Sequence, residues 1–452
     1  MNGAKRGFSI KATSMLRRAA LAAVLAMAVE TVTSCQNPFN STPQEEAAHE
    51  GHEEIQLEFW NVGLDGSTDN TKDVSADSAL YRYVDKFEKE NPGVVVHVVN
   101  LQADQITTLL KAARASKKGP DLIGQRAGGA TNDFQDILTP LDRYLTAEEK
   151  GSYRGLDIGR VNFQPNGRIQ ALPYNITTYN IFYNKAVFAK AGFMKTPVIK
   201  TWNDFLALCA ELKAKGIMPL FVGEQEGYTA AWMTSEFMLD MLGPKGLSKL
   251  YAQGLKFSSP SFKQAIRTWK QVYDDKYTNP DYVTLSSEEA MRKFGDSGAA
   301  MTINGSWTIN DLISQLGGNL GTMQIPAISK NAPFGDYLVS QPGANISVSV
   351  FTKHTDLAVK FVEFITSGEF QMEYYKDTGD IPANTKADLT KIDNAITQES
   401  LSWINKGWTS LGFDTLIPGE ASSEFYRLAS AVLYGRVSVD ELASSIDSKI
   451  KP

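Results

Sequence analysis

From residue 55 onward the chain alternates between two spacings of hydrophobic side chains. Residues 55–60 (IQLEFW) place apolar groups at every second position, the repeat of a strand with one buried face. Leu80, Tyr83, Val84 and Phe87 then recur at steps of three and four, one face of a helix, and Asn91-Pro92-Gly93 stops it. Residues 94–99 are a β-branched run. Strand, crossover helix and strand in this order predict parallel pairing with a right-handed connection. Gly119-Pro120 closes the next helix, Asp121-Leu122-Ile123 reads as a short buried strand, and residues 124–132 read as the loop at its carboxyl end.

The rhythm continues. Residues 181–183 predict a strand and 186–191 a helix closed by Gly192. Thr201 caps a helix with Asn203 and Asp204 in its first turn, ended by Gly216. Residues 218–222 predict a strand in spite of Pro219, which suits an edge or a strand start. Ser259-Pro260 opens a helix with Phe262, Ile266, Trp269 and Val272 or Tyr273 inward; 299–303 predict a strand and 356–366 a helix. No repeat of fixed short period occurs, which argues against a solenoid. A chain of 452 residues exceeds one compact core, so two α/β lobes are expected, with ligand groups outside the strand ends and a cleft between the lobes.

The amino terminus changes this picture. Lys5, Arg6, Lys11, Arg17 and Arg18 precede a short apolar stretch at 19–29, too short to span a bilayer, which predicts a cleaved secretion signal over residues 1–34. Val32-Thr33-Ser34-Cys35 resembles the lipobox of bacterial lipoproteins, with Val32 where Leu is usual. Cys35 would become the lipidated first residue, since a thioether needs a thiol and several acyl chains together hold a protein at a membrane. A soluble-secretion signal with an incidental cysteine is the alternative. Residues 35–54, rich in Pro, Ser, Gln and Glu, read as a flexible tether. His49 and His52 within it read as part of a solvated tail, so no metal and no cofactor are expected. Cys209, the only other cysteine, lies in an apolar helical stripe and is expected to be a buried hydrophobe without a disulfide partner.

The whole chain carries a formal charge of −6, and the +4 leader leaves the remainder near −10. So acidic a chain is a poor candidate for nucleic-acid binding, and no nucleic-acid partner is expected.

Four stretches carry a resemblance. Ala300-Met301-Thr302-Ile303-Asn304-Gly305-Ser306-Trp307, Pro120-Asp121-Leu122-Ile123, Leu172-Pro173-Tyr174 followed by Ile181-Phe182-Tyr183-Asn184-Lys185, and Thr201-Trp202-Asn203-Asp204-Phe205 are similar, in order, to segments of extracellular solute-binding protein family 1. These are the carbohydrate-binding lipoproteins of ABC transporters, the group that includes maltose-binding protein. Ser423-Glu424-Phe425-Tyr426 and Gly435 to Leu442 resemble that family's last helices. The resemblance implies a periplasmic-binding-protein type II architecture: two α/β lobes around a ligand cleft, joined by hinge crossings. The crossings would fall near Leu172-Pro173, near 336–341 and near 386–390, giving one lobe from 55–172 plus 341–388 and a second from 173–340 plus 389–452. It further implies a non-enzymatic monomer that captures a sugar or oligosaccharide and delivers it to ABC transporter permease subunits at the outer face of the bacterial cell membrane.

A pyranose has an apolar C–H face and a ring of hydroxyls, so its site needs flat aromatic platforms and planar polar groups. Trp307 is the strongest platform candidate, because Asn304-Gly305-Ser306 breaks the strand just before it. Tyr228 and Trp232, in a stretch resembling the family's EPYFTW segment, and Tyr426 follow; burial in an ordinary core is the alternative for each. Tyr174 lies at the first crossing. Polar candidates are Trp60, Asn61 and Asp65 after the first strand, Gln125 and Arg126 after Ile123, and Glu226 and Asn345, each of which could equally solvate a loop or cap a turn. The rivals are an extracytoplasmic glycan hydrolase, for which no nucleophile elbow, HExxH or phosphate loop is present, and a same-fold protein for a non-sugar solute.

Overall fold

The structure is a computed structural model that describes residues 54–64, 77–163, 166–249, 256–407 and 409–450. Eleven strands are named in chain order: β1 (Ile55–Asn61), β2 (Val94–Asn100), β3 (Leu122–Arg126), β4 (Leu172–Pro173), β5 (Asn175–Asn184), β6 (Met301–Gly305), β7 (Leu320–Gln324), β8 (Leu338–Gln341), β9 (Ala344–Val348), β10 (Ile381–Pro382) and β11 (Thr409–Ser410).

The first sheet has the order β2-β1-β3-β9-β4. β1 runs parallel to both β2 and β3, as the strand-helix-strand spacing predicts. The crossover helix Ala79–Glu90 buries Leu80, Tyr83, Val84 and Phe87, the apolar face read from the sequence. Phe87 meets Phe361 edge-on at 4.9 Å. β3 is longer than 121–123 because β9, from more than 200 residues later, pairs antiparallel with all five of its residues. The expected loop at 124–132 is therefore strand as far as Arg126, then a short helix, Gly129–Asn132.

The second sheet is organised by β5, ten residues that are all buried. Its first residues pair with β10 and β8, its later ones with β6 and β7, and β11 lies parallel against β8. Helix Trp202–Ala214 begins with the reciprocal Thr201–Asp204 capping hydrogen bonds, and helix Pro260–Asp274 starts at its proline. Trp202, Phe205, Phe237 and Trp269 fill the core between them, and Cys209 is a fully buried free thiol there. Residues 218–222 form no strand; Leu220 makes only isolated bridges to Thr278 and Met301. Pro219 has no N–H and offers only its carbonyl, which accepts from the Met301 N–H. The long helix Tyr228–Leu247, broken at Gly243 (φ +65°, ψ 174°) just before Pro244, is buried on nearly every side. It thus shows no amphipathic stripe to read.

The two sheets have separate apolar cores. The chain passes from the first sheet to the second at Tyr174, between β4 and β5, and returns at Pro342-Gly343, between β8 and β9. The third passage is extended: β10 pairs with β5, yet Ala383 and Thr385 still exchange backbone hydrogen bonds with Arg154 and Ser152 of the first half.

Candidate functional site

A cleft of about 1610 Å³ is lined from both halves. β5 supplies its floor: Asn175, Thr177 and Tyr179, at alternate positions, all face it. Tyr179 is the centre of an aromatic box. Trp232, one turn into helix Tyr228–Leu247, stacks on it at 5.3 Å and 20°, and Tyr228 continues the row beyond Trp232 at 6.3 Å and 18°. Trp307 stands across this row, edge-on to Trp232 (5.4 Å, 78°) and to Tyr179 (6.3 Å, 86°). Tyr426 closes the far end, edge-on to Tyr228 at 5.1 Å.

Two glycines make this packing possible. Gly227, at φ +75°, turns the chain into the helix, and a Cβ there would lie 2.8 Å from the Tyr426 carbonyl oxygen. The six-membered ring of Trp307 lies directly over Gly305, where a Cβ would come within 1.8 Å of it.

Polar groups surround the box. Arg126, at the end of β3, donates to the Tyr228 hydroxyl across the cleft (3.2 Å) and sits over that ring at 5.2 Å. Asp414 accepts from the Tyr426 hydroxyl (2.9 Å), and burial pushes its carboxyl up from the ordinary range. Glu226 accepts from the Ser287 backbone N–H, and the Gln341 amide donates to the Tyr179 hydroxyl. The halves also touch beside the cleft. A Cβ at Gly129 would meet the Ile417 carbonyl oxygen at 1.9 Å, and Asp133 accepts from the Gly419 N–H at 2.9 Å.

Of the residues singled out from the sequence, Arg126, Tyr174, Glu226, Tyr228, Trp232, Trp307 and Tyr426 line the cleft together. Four described ones do not. Trp60 packs under helix Ala103–Ser116 beside Ile123, its indole donating to Glu58. Asn61 folds back on its own turn, accepting from the Leu64 N–H and donating to Asn100. Gln125 and Asn345 are register partners across β3 and β9 and are buried inside the first half. Because β3 continues to Arg126, that residue and not Gln125 stands at the strand end. Asp65 and Cys35 lie outside the described residues.

Sequence reasoning missed Tyr179, Asn175, Gln341, Asp380 and Asp414. The alternation Asn175, Thr177, Tyr179 is visible in the sequence, but every intervening residue is buried too, so nothing marks one face as special.

A family model described as bacterial extracellular solute-binding protein matches residues 82–399. The multiple sugar-binding protein of Streptococcus mutans is 27% identical over an alignment covering 74% of this chain and 80% of that protein. The sn-glycerol-3-phosphate-binding periplasmic protein of Shigella flexneri is 28% identical over 50% of this chain and 51% of its own. Among solved structures, a chitin oligosaccharide binding protein superposes with a TM-score of 0.75 at 21% identity, covering 88% of this chain and 98% of that one. At that identity the likeness is one of fold.

Proposed function

This chain belongs to the bacterial extracellular solute-binding proteins, and from that premise we propose that it captures a sugar or short oligosaccharide and hands it, unaltered, to the permease of an ABC importer. The observation that carries the choice of ligand is the aromatic box, in which the part-exposed Tyr228, Trp307 and Tyr426, backed by the buried stack of Tyr179 and Trp232, offer ring surfaces for pyranose C–H groups beside hydroxyl-bonding groups such as Arg126, Asp414 and Glu226. The cleft exceeds the roughly 300–1,000 Å³ of usual small-ligand sites, which favours more than one sugar ring. Carboxylates outnumber cations among its lining residues, which disfavours a phosphorylated or otherwise anionic ligand.

Capture is by closure about the three passages between the sheets, with Tyr174 and Pro342-Gly343 as the narrowest points. Cys35 carries a lipid that holds the protein at the outer face of the membrane. The test is a thermal-shift and calorimetric screen of neutral oligosaccharides alongside sn-glycerol 3-phosphate. A few neutral sugars should raise the melting temperature through mass action. A response to the phosphate alone, or recovery of cleaved sugar, would refute the assignment.

A further inference from the structure

All three passages between the sheets converge on one side chain. Asn175 is the first residue of β5, immediately after the first passage at Tyr174. Its Oδ1 accepts from the backbone N–H groups of Gly343 (3.1 Å) and Ala344 (3.3 Å), at the second passage. Its Nδ2 donates to Asp380 Oδ2 (2.8 Å), at the entrance to β10 on the third. Asn175 and Asp380 are both buried, at 6% exposure, and both line the cleft. Gly343 comes so close that a Cβ on it would lie 3.3 Å from the Asn175 amide. Side-chain amides offer a donor and an acceptor in one plane, and here each end holds a different crossing segment.

Asp380 is incompletely satisfied. The Tyr374 hydroxyl acts on its carboxylate but is committed to the Gly63 carbonyl oxygen (3.2 Å) in the first half, and Asp380 Oδ1 has no hydrogen bond of normal geometry. An unpaired buried carboxylate oxygen costs free energy.

We propose that Asn175 and Asp380 are positioning residues that form the pivot lock of the hinge, setting how readily the halves close on ligand. The inference rests on the reading of the cleft as a hinged sugar site. Both residues act through the crossing segments. The amide–carboxylate pair holds the halves in the touching arrangement, and ligand affinity scales with the fraction of protein that reaches it.

The test is a polarity swap. Asn175→Asp keeps the acceptor for Gly343 and Ala344 but sets two carboxylates face to face. Asp380→Asn in that background restores one donor and one acceptor in reversed order. Affinity for a sugar that binds the wild type is measured by calorimetry, and the radius of gyration with and without that sugar by small-angle scattering. Asn175→Asp should weaken binding about tenfold or more and expand the unliganded protein, and the double variant should return both values to near wild type. A purely structural role would lower the melting temperature without changing the scattering difference between free and bound protein, and that result overturns the proposal. So does a single variant that binds as the wild type does, or a swap that fails to rescue. If no sugar binds the wild type, the functional reading fails first, and the scattering arm on unliganded variants still decides the pivot.

Discussion

The packing of the Trp307 indole against Gly305 allows the platform to be displaced without being deleted. The backbone at Gly305 (φ −84°, ψ 162°) is open to any residue, so Gly305→Ala introduces no dihedral strain. The new methyl would nevertheless fall 1.8 Å from the ring. Because Trp307 is only half-buried, the ring should swing toward the cleft and leave its edge-on contacts with Trp232 and Tyr179. A sugar face stacked on an indole covers roughly 50–100 Å² of apolar surface, worth about 1–2.5 kcal/mol. Loss of that contact is a roughly fivefold to seventyfold weakening. Gly305→Ala and Trp307→Ala should therefore weaken sugar binding by similar factors, and the double variant should be no worse than Trp307→Ala, because both remove one interaction. Calorimetry on the three proteins checks this, with circular dichroism confirming an unchanged fold. Wild-type affinity in Gly305→Ala, or additive losses in the double variant, would refute the reasoning.

Further outcomes are expected. Gly129→Val places side-chain atoms against the Ile417 carbonyl and should hold the halves apart, weakening sugar affinity by about tenfold or more while the unliganded melting temperature moves little; unchanged affinity would mean this contact persists in every state. Glu224 is fully buried and accepts from Trp269, Tyr273 and the Ala230 N–H, and burial pushes its carboxyl from 4.5 up to about 7. Its raised value means that the folded state holds this proton more tightly than the unfolded chain. The resulting stability, roughly 3 kcal/mol, is complete below pH 4.5 and lost as pH rises through about 7. Glu224→Gln should flatten that part of the melting-temperature profile, leaving the similar slope from Asp240, which burial also raises to about 7. Cys35→Ala should move the protein from the membrane fraction to the soluble one, as fractionation and immunoblotting would show.

The fold was legible where local chemistry and burial agree. Ala79–Glu90, Trp202–Ala214 and Pro260–Asp274 each bury one face and begin or end at Ser, Thr, Pro or Asn-Pro-Gly, so their spacing and their structure coincide. Helix Tyr228–Leu247 was not legible, because burial on all sides erases the periodicity. The length of β3 was hidden because its partner β9 lies far along the chain. The site follows the same division. The place of Trp307 in the cleft wall was readable from the glycine-bearing strand end before it. Gln125 was placed outside the strand because the strand end was set at Ile123, three residues early, and Asn345, chosen for its place beside Gly343, pairs with it inside the sheet. Asp380 and Asp414 owe their positions to tertiary contacts that no local pattern announces.

β5 joins the mechanics of the protein to its chemistry. Asn175 and Tyr179 are four residues apart on one continuous strand, about 13 Å, and every second side chain must point the same way. Inserting or deleting a single residue between them would turn the Tyr179 ring to the opposite face of the strand, away from the cleft, while leaving the passage intact. On the proposed reading of the cleft, adaptation to a new ligand is therefore channelled away from this strand, toward the opening turn of helix Tyr228–Leu247 and the chain around 413–426, where side chains can be exchanged without disturbing the passage between the sheets at Tyr174.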